Sequence, residues 1–387
     1  MRNRPLDPAG SEPCKRSISN RSRSRTCYCR SFCGDIDSVI RPFRPGDLVL
    51  IQRLNRQATK FHTVQTLLHG HSVLQAALGS AIPWGDAKIA TYVLRQDGHG
   101  LVNSGFLQVQ KRAARPEADV LCLSPGLDAP AGHPATWQKL LSAYLHNVMA
   151  QGVLRIYADV LDQPLPVNTF AGVGFHAYSR QTIWRLFTPT VESYSHLVTA
   201  SIRPQTAADE WALGRLYAHS APDLVQSAEG WAGLQGEGAP LLHNWLADHG
   251  LTFVLAQGLN ITGALQVASG SNGSWLQWWT DRMQPEHETV QQLLCFGLSF
   301  IRNSGWRTPV YLAVADYQGG LAPLLSDYGF APFSDRVKLV KHVAKWVRES
   351  VPTTAAVLDP ASEIVPTSFA PPGSSRRPQP GKIRNPL

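Results

Sequence analysis

The sequence predicts a mixed α/β protein built from two tandem copies of one domain. Two observations lead to this fold class. First, the stretch from Val120 to Arg185 contains a short apolar run, a loop, an amphipathic helix and two β-rich runs. This is the order of a parallel β-α-β unit with one further strand. Second, four short motifs of the first half of the chain recur in the second half in the same order.

Each element of the first stretch has its own local signal. Val120–Ser124 is an apolar run closed by Pro125, as expected of a buried strand. Thr136–Gln151 carries apolar residues at helical spacing, with Thr136 as the expected cap and Gly152 as the stop. The next strand, Val153–Val160, has two alternating faces, which carry Ile156, Ala158 and Val160 on one side and Arg155, Tyr157 and Asp159 on the other.

The residues before this stretch predict further elements of the same domain. Val39–Phe43 is expected to be a strand, and a helical region is expected from Gly46 past Leu68. A second helix is predicted over Ser72–Ala81. Lys88–Leu94 and Gly105–Val109 are expected to form a pair of strands, with an Asp-Gly turn between them.

The internal repeat divides the ordered part of the chain into two halves. The repeated features are an Ile-Arg-Pro motif with a later Asp, a Gly-x-Leu-Gln-Val strand, a Leu-Leu helix that ends at Gly, and a Gly-Phe turn. They occur at Ile40 and Ile202, Gly105 and Gly263, Leu140 and Leu293, and Gly174 and Gly329. Four pairs in one order predict two structurally equivalent domains.

The repeat and the composition set the expected domain limits. We predict domains over residues 38–190 and 200–348, which pack as one unit through their sheets or terminal strands. The linker Thr188–Ala200 contains β-compatible residues and is a candidate for a shared strand. Residues 1–37 form a basic segment and residues 349–387 a Pro-rich tail, and both have too few apolar residues to join a core, so both are expected to be disordered.

The net charge of +8 does not by itself indicate nucleic-acid binding. Residues 1–38 alone carry eight basic and four acidic side chains, so much of the excess lies in the N-terminal segment. That segment has three interpretations: a solvated tail, an Arg/Ser-rich targeting segment or an RNA-binding arm. The sequence has no apolar run near the roughly 20 residues that a membrane span needs, so we expect a cytoplasmic protein without membrane contact.

The cysteines favour a reduced protein without a metal site. Four of them crowd the N-terminal segment, but their spacing gives one tight pair and no second pair, unlike a structural zinc site. The other two, Cys122 and Cys295, lie in apolar stretches and are expected to be core residues. The crowded four are Cys14, Cys27, Cys29 and Cys33.

The order of elements resembles the acyl-CoA-dependent N-acetyltransferase (GNAT) superfamily, including its tandem two-domain forms. The resemblance covers residues 38–348 and implies two acyl-CoA N-acyltransferase-like domains, with acetyl-CoA as co-substrate. In that family the loop and the following helix N-terminus hold the pyrophosphate, and nearby strand residues and an amide side chain meet the pantetheine arm. The resemblance therefore implies cofactor-binding residues at Leu123, Gly132, His133, Pro134, Ala135, Thr136 and Gln163.

The sequence departs from the family pattern at several of these positions. The family has Q/R-x-x-G-x-G/A, whereas here Gly132 stands at the Gln/Arg position and His133, Ala135 and Trp137 stand at the glycines. The family's leaving-group tyrosine is replaced by Phe170 and Leu325, so no catalytic acid or base is identified.

The second copy departs further, because Glu286 and Glu288 lie where phosphates would approach its helix. The first copy is therefore the expected cofactor site. His133 is either an added hydrogen-bond donor there or an exposed loop residue.

Two functions from different classes follow. The first is an N-acetyltransferase that acts, through its N-terminal copy, on an unidentified small-molecule or peptide amine in the cleft between the copies. The second is a catalytically degenerate tandem protein that binds a metabolite or another protein. A tryptophan-rich strand near the second helix is either a stacking platform or core packing. Its aromatic residues are Trp275, Trp278 and Trp279.

Overall fold

The described strands of the protein form one 13-stranded mixed β-sheet in its computed structural model. The structure describes residues 38–70, 72–80, 89–96, 104–112, 115–148, 151–188, 202–231, 238–258, 260–281 and 287–343. All of these residues fall within one compact unit. The cysteine-rich segment, most of the linker and the Pro-rich tail lie outside the described residues.

The first half contains seven strands and five α-helices among its described residues. A 3-10 turn, Pro45–Asp47, leads from the first strand into the first helix. The strands are β1 (Ser38–Pro42), β2 (Thr59–Lys60), β3 (Ile89–Gln96), β4 (Gly105–Lys111), β5 (Glu117–Ser124), β6 (Arg155–Leu161) and β7 (His176–Leu186). The helices are α1 (Leu48–Asn55), α2 (Thr63–Leu68), α3 (Val73–Ser80), α4 (Pro134–Val148) and α5 (Pro164–Ala171).

The second half repeats this order, except that it has no described counterpart of β2. A 3-10 turn, Ala207–Asp209, again leads into the first helix. The strands are β8 (Ile202–Pro204), β9 (Leu251–Gln257), β10 (Asn260–Gly270), β11 (Gly273–Thr280), β12 (Val310–Ala315) and β13 (Ala331–His342). The helices are α6 (Glu210–Ser220), α7 (Asp223–Ala228), α8 (Trp245–His249), α9 (His287–Asn303) and α10 (Ala322–Asp327). The predicted fold class, a mixed α/β sheet with two tandem copies, is confirmed.

The two halves exchange their last strands at the centre of the sheet. β13 of the second half runs antiparallel to β6 of the first half and to β7, while β7 runs antiparallel to β12 of the second half. The strand order is β1-β3-β4-β5-β6-β13-β7-β12-β11-β10-β9-β8. Each terminal strand therefore extends the sheet of the other half. This agrees with the expectation that the copies pack through their terminal strands.

The repeated Ile-Arg-Pro motif forms the same clamp in both halves. Arg41 donates two hydrogen bonds to Asp47 at 2.7 and 2.9 Å, and Arg203 donates two to Asp209, both at 2.7 Å. Each Asp also accepts the backbone N–H at the start of its 3-10 turn, at 2.9 and 2.8 Å. The motif thus ties the first strand of each half to its first helix, which gives the repeated residues a structural role.

The repeated Gln in the Gly-x-Leu-Gln-Val strand is buried in both halves. Gln108 Nε2 donates to the carbonyl of Val73 at 2.9 Å and to a Thr hydroxyl of β3 at 3.1 Å. Gln266 Nε2 donates to the carbonyl of Leu241 at 2.7 Å and to a Thr hydroxyl of β9 at 3.1 Å. Each Gln therefore ties its sheet to the segment that covers it. Because a buried amide is costly without partners, these residues fix the position of that segment.

The Gly-Phe motifs end α5 and α10 in the same way. Gly174 and Gly329 have φ angles of +83° and +81°, which glycine adopts at little cost. The following Phe175 and Phe330 are buried in the core of their own half. The repeat is therefore structural at this position too. Cys122 and Cys295 are also buried, as expected.

Two sequence predictions need correction. Helix α4 begins at Pro134 and not at Thr136, because proline fits the first helical position, where no backbone donor is required. The helical region predicted from Gly46 past Leu68 is interrupted by β2, which pairs with β5. The predicted pairing of Lys88–Leu94 with Gly105–Val109 is confirmed as β3 and β4.

Within the described residues no helix is long and apolar enough to cross a membrane.

We predict that Asp47→Asn destabilises the protein at neutral pH. Burial acts to raise the pKa of Asp47, but the hydrogen bonds and charge of Arg41 outweigh it and lower the pKa below its usual range. The carboxylate therefore stabilises the fold above about pH 4, and this contribution is lost as the pH falls through the lower pKa of the folded state.

Chemical denaturation at pH 7 should show a loss of about 2 kcal/mol in the free energy of unfolding, because the Asp side chain is fully buried. The stability of the variant should also fall less steeply below pH 4. Asp162→Asn, at a half-exposed ion pair with Arg180, is the control. Equal stability losses in the two variants would contradict the prediction.

Candidate functional site

The two parallel strand pairs separate shortly after they begin. β5 pairs with β6 only over Glu117–Asp119, and β11 pairs with β12 only over Ser274–Leu276. Beyond these residues each pair leaves a gap at the carboxyl ends of its strands. The loop and the start of α4 follow β5 at this edge, and so does Gln163 after β6. These gaps are where the sequence predicts a cofactor.

The gap in the first half is filled by the chain itself. β2 pairs Thr59 with Leu123 and Lys60 with Cys122, on the edge of β5 that β6 has left. The neighbouring backbone continues this pairing, since the N–H of Phe61 donates to the Leu121 carbonyl at 2.8 Å. The residues around β2 thus take the hydrogen bonds that this edge of β5 would offer to a ligand.

The Phe61 ring closes the same gap. It is 1% exposed and makes edge-to-face contacts with Trp137 and Phe170, with ring centroids 5.3 and 5.4 Å apart. Trp137, at a family glycine position, also donates its indole N–H to the Pro125 carbonyl at 2.7 Å. Phe170, at the position of the family tyrosine, is a fully buried part of this cluster. All three positions therefore serve packing.

Three backbone N–H groups around the start of α4 already donate hydrogen bonds within the chain. The N–H of Gly132 donates to Ala129, that of Ala135 to His133 Nδ1, and that of Thr136 to the His133 carbonyl, at 2.7, 3.1 and 3.0 Å. Pro134 has no N–H. His133 therefore acts as the cap of its own helix, so these residues do not fit a phosphate cradle without rearrangement.

The other two residues of the predicted site lie apart from any such cradle. Leu123 is fully buried and paired on both edges, with β4 and β2. Gln163 precedes α5 as its N-cap residue, but its exposed side chain forms no hydrogen bond with the described residues. In the second half, Gln318 instead accepts the Ala315 N–H at 3.0 Å. The matched glutamines therefore differ in role.

The gap in the second half is not filled in this way. Within the described part of the chain, no strand pairs with the open edge of β11 beyond Leu276. Glu288 lies in the first turn of α9, as the sequence predicts, and accepts a hydrogen bond from Gln292 at 3.2 Å. Glu286 lies outside the described residues. Among the described residues, the chain itself therefore fills the gap in the first half only.

A cavity of about 170 Å³ lies against the central strands of the sheet. Its wall contains residues from both halves and from the exchanged strands, and it is rich in aromatic and charged side chains. The first half contributes Phe61, His62, Thr63, Arg112, Asp119, Tyr157 and Asp159. The second half contributes Tyr217, Glu229, Asn244, Trp245, Trp275, Trp279 and Tyr317. The central strands add Tyr178, Gln181 and Lys338. We call this the central cavity.

One side of the central cavity carries an ion-paired cluster. Arg112 donates to both carboxylate oxygens of Asp119 at 2.7 Å and to Glu117 at 2.8 Å. Its guanidinium also lies 4.4 Å from the ring centroid of Tyr157. Burial acts to raise the pKa of Asp119, but Arg112 outweighs this and lowers it. The Arg112–Asp119 pair is therefore internally neutral.

Asp159 is held by partners from three other elements. Thr63 Oγ1 donates to it at 2.5 Å, Gln181 Nε2 at 3.4 Å and Arg336 Nε at 3.2 Å. The guanidinium of Arg336 also reaches the Asp159 carbonyl, at 2.8 Å. This carboxylate is therefore already neutralised and joins the exchanged strand β13 to the first half.

A third carboxylate, Glu229, is bonded by tyrosines. Tyr217 Oη donates to it at 2.7 Å and Tyr178 Oη at 3.5 Å. Burial, followed by the charge of Glu229, raises the pKa of both phenols. They therefore stay protonated and act as donors. Tyr157 Oη donates to the Ala228 carbonyl at 3.1 Å, beside the same carboxylate.

His62 is a neutral member of the wall. Its Nδ1 accepts the Gln65 N–H at 3.3 Å, and burial lowers its pKa below the usual range. Because Nδ1 is an acceptor, the neutral ring carries its proton on Nε2. Its ring contacts Trp245 edge-to-face, with centroids 6.0 Å apart.

Sequence reasoning found part of this cavity and missed the rest. The alternation of β6 placed Tyr157 and Asp159 on one face, and both line the cavity. The tryptophan-rich strand has a mixed role, because Trp275 and Trp279 line the cavity, while Trp278 is buried in the core of the second half. Glu229 gave no motif signal. The described residues contain no cluster of His, Cys, Asp or Glu arranged to hold a metal.

No family model and no curated protein matches the chain. Among solved structures, it is similar to a GCN5-related N-acetyltransferase from Sphaerobacter thermophilus, with 14% identity over 80% of this chain and 97% of that one and a TM-score of 0.46. It is also similar to a tandem GNAT protein from the clavulanic acid biosynthesis pathway, with 14% identity over 80% of this chain and 99% of that one and a TM-score of 0.47.

A third similarity is to a GCN5-related glucosamine N-acetyltransferase region of a fungal multi-domain GH3 β-N-acetylglucosaminidase. Here the identity is 11%, the match covers 79% of this chain and 38% of that one, and the TM-score is 0.47. With identities of 14% or less and TM-scores below 0.5, these similarities assign neither a family nor an activity to this chain.

We predict that Phe61→Ala strongly destabilises the first half. The substitution removes a buried ring from the contacts with Trp137 and Phe170, so the free energy of unfolding should fall by about 3–5 kcal/mol in denaturant titrations. Phe187→Ala is the control, because the Phe187 ring is 62% exposed. A loss below about 1 kcal/mol for Phe61→Ala would show that β2 and Phe61 do not hold the gap closed.

Proposed function

We propose that the protein binds a small polar metabolite in the central cavity. The observation that carries this proposal is the cavity itself, whose wall draws charged and aromatic side chains from both halves of the chain. Ligand sites in proteins combine apolar walls with a few fixed polar groups, often between domains. The cavity has this composition.

Unused hydrogen-bonding capacity in the wall supports the proposal. The indole Nε1 of Trp275 is buried and has no hydrogen-bond partner in the described part of the chain. Buried donors without partners are rare in folded proteins. Trp275 lines the cavity, and a bound polar molecule is one source of the missing partner.

Of the two functions that the sequence predicts, this proposal is the non-catalytic one, in which the protein binds a metabolite. The filled gap of the first half, with its occupied N–H groups at Gly132, Ala135 and Thr136, argues against acetyl-CoA at the predicted residues. Phe170 also supplies no proton for a leaving thiolate. Acyl transfer through the N-terminal copy therefore has little support from the geometry.

The experiment is a ligand screen on matched variants. Thermal shift assays should be run with amino acids, betaines, polyamines, sugars and organic acids on the wild-type protein and on Ala313→Leu and Ala313→Phe. Ala313 lines the cavity, so its larger replacements should weaken any cavity ligand in order of size. Ala322→Phe, at an exposed position at the start of α10, is the control.

At least one compound should raise the melting temperature of the wild-type and control proteins and lose its effect in the Ala313 series. Only variants that unfold cooperatively can be compared in this assay. Ala313→Leu is included because its smaller side chain disturbs folding less than that of Ala313→Phe. A screen without a stabilising compound, or equal stabilisation of Ala313→Phe, would overturn the proposal.

A second candidate is acyl transfer through the second half, with acyl-CoA as co-substrate. It is favoured by the open edge of β11 beyond Leu276, for which the structure describes no strand partner on the β12 side. Calorimetric titration with CoA tests it. Binding in the micromolar range that survives Ala135→Glu but is lost in a variant of α9 would favour this candidate. No heat up to millimolar CoA would exclude it.

A further inference from the structure

The charges in the central cavity do not all pair with one another. Apart from the neutral His62, the wall contains five ionised side chains: Arg112, Asp119, Asp159, Glu229 and Lys338. Arg112 and Asp119 neutralise each other through two hydrogen bonds. Asp159 is neutralised by Arg336. Two charges of opposite sign are left.

Neither Glu229 nor Lys338 has an oppositely charged group within 4 Å in the described part of the chain. They also do not pair with each other, although both line one cavity. A charge in a cavity wall is costly unless solvent or a ligand compensates it. The cavity is therefore suited to a molecule that carries both a positive and a negative group.

The surroundings of Glu229 suit an ammonium group. Its carboxylate is oriented by the hydroxyls of Tyr217 and Tyr178, and their rings line the cavity together with Trp279. Aromatic ring faces beside a carboxylate attract cations, including fully substituted ammonium groups that cannot donate a hydrogen bond. The same groups give no favourable contact to an anion.

Lys338 provides the complementary charge. It lies on β13, opposite Asp159 on β6 and Ser179 on β7 in the strand register. Asp159 is already bonded to Arg336, Thr63 and Gln181, so it does not hold the Lys338 ammonium. A ligand carboxylate is the group that Lys338 can pair with.

We propose that the central cavity binds a small zwitterion, with its ammonium group against Glu229 and the aromatic rings and its carboxylate against Lys338. This inference rests on the proposed function and specifies the class of its ligand. A cation alone leaves Lys338 unpaired, and an anion alone leaves Glu229 unpaired. Because ring faces and a carboxylate recognise the nitrogen, a quaternary ammonium satisfies the site as well as a primary one.

The test uses glycine betaine as the zwitterion, with tetramethylammonium and acetate as its two separated charges. Calorimetry and tryptophan fluorescence both report binding, since Trp245, Trp275 and Trp279 line the cavity. Glycine betaine should bind at least tenfold more tightly than either ion. Glu229→Gln and Lys338→Met should each weaken betaine binding by about tenfold or more, because each removes one charged contact.

Matched controls separate this effect from a general loss of charge or stability. Glu288→Gln changes an exposed carboxylate on α9, and Lys341→Met changes another lysine of the same strand, outside the cavity; both should bind betaine within twofold of wild type. Lys338→Arg keeps the charge and should retain binding within about threefold. This variant tests Lys338 even if Lys338→Met folds poorly.

The outcomes distinguish the two proposals. If a different compound binds in the cavity, as shown by its sensitivity to Ala313→Phe, and betaine does not bind, the zwitterion inference is wrong and the proposed function stands. If tetramethylammonium or acetate binds as tightly as betaine, the paired-charge argument is also wrong. If no compound depends on Ala313, both proposals fail together.

Discussion

The exchange of β7 and β13 is the constraint on which the rest of the structure depends. β13 is paired along one edge with β6 of the first half and along the other with β7. Separating the halves would expose long strand edges on both sides, and unpaired backbone groups of this kind are strongly disfavoured. The halves therefore form one folding unit, and their relative position is fixed by hydrogen-bond register and not by side-chain packing alone.

This register also creates the central cavity. Since β6, β13, β7 and β12 lie side by side, residues of both halves meet across the exchanged strands and line one cavity. The β5–β6 pair and the β11–β12 pair run in opposite directions, so their two gaps open toward opposite ends of the sheet. The cavity is thus a property of the exchanged pair, and its polar groups are oriented by residues from both halves, as Tyr178 and Tyr217 orient Glu229.

The repeat of the domain could be predicted from the sequence, because the repeated residues stabilise each half. The Arg–Asp clamps, the buried Gln108 and Gln266 and the Gly-Phe turns all have equivalent structural roles. The strand exchange was only partly predictable, since hydrophobic periodicity records which face of a strand is buried and not which neighbour it pairs with. β2 is two residues long and has no periodicity to detect. The bonds around His133 likewise depend on the loop geometry, which the residue types alone do not determine.

The two halves differ in charge at one pair of positions that the repeat relates. In the strand register, Lys338 on β13 faces Asp159 on β6, whereas Ile183 on β7 faces Ala313 on β12. The Gly-Phe motifs of the two halves are 155 residues apart, and the same offset relates Lys338 to Ile183. The offset therefore relates a charged residue of the cavity wall, Lys338, to a buried core residue, Ile183. Selection for folding alone requires no such difference, because an apolar pair completes the exchanged strands equally well. Lys338 is half-buried, and a partly desolvated charge is costly without a partner, so a ligand that pairs with Lys338 gives this difference a physical reason.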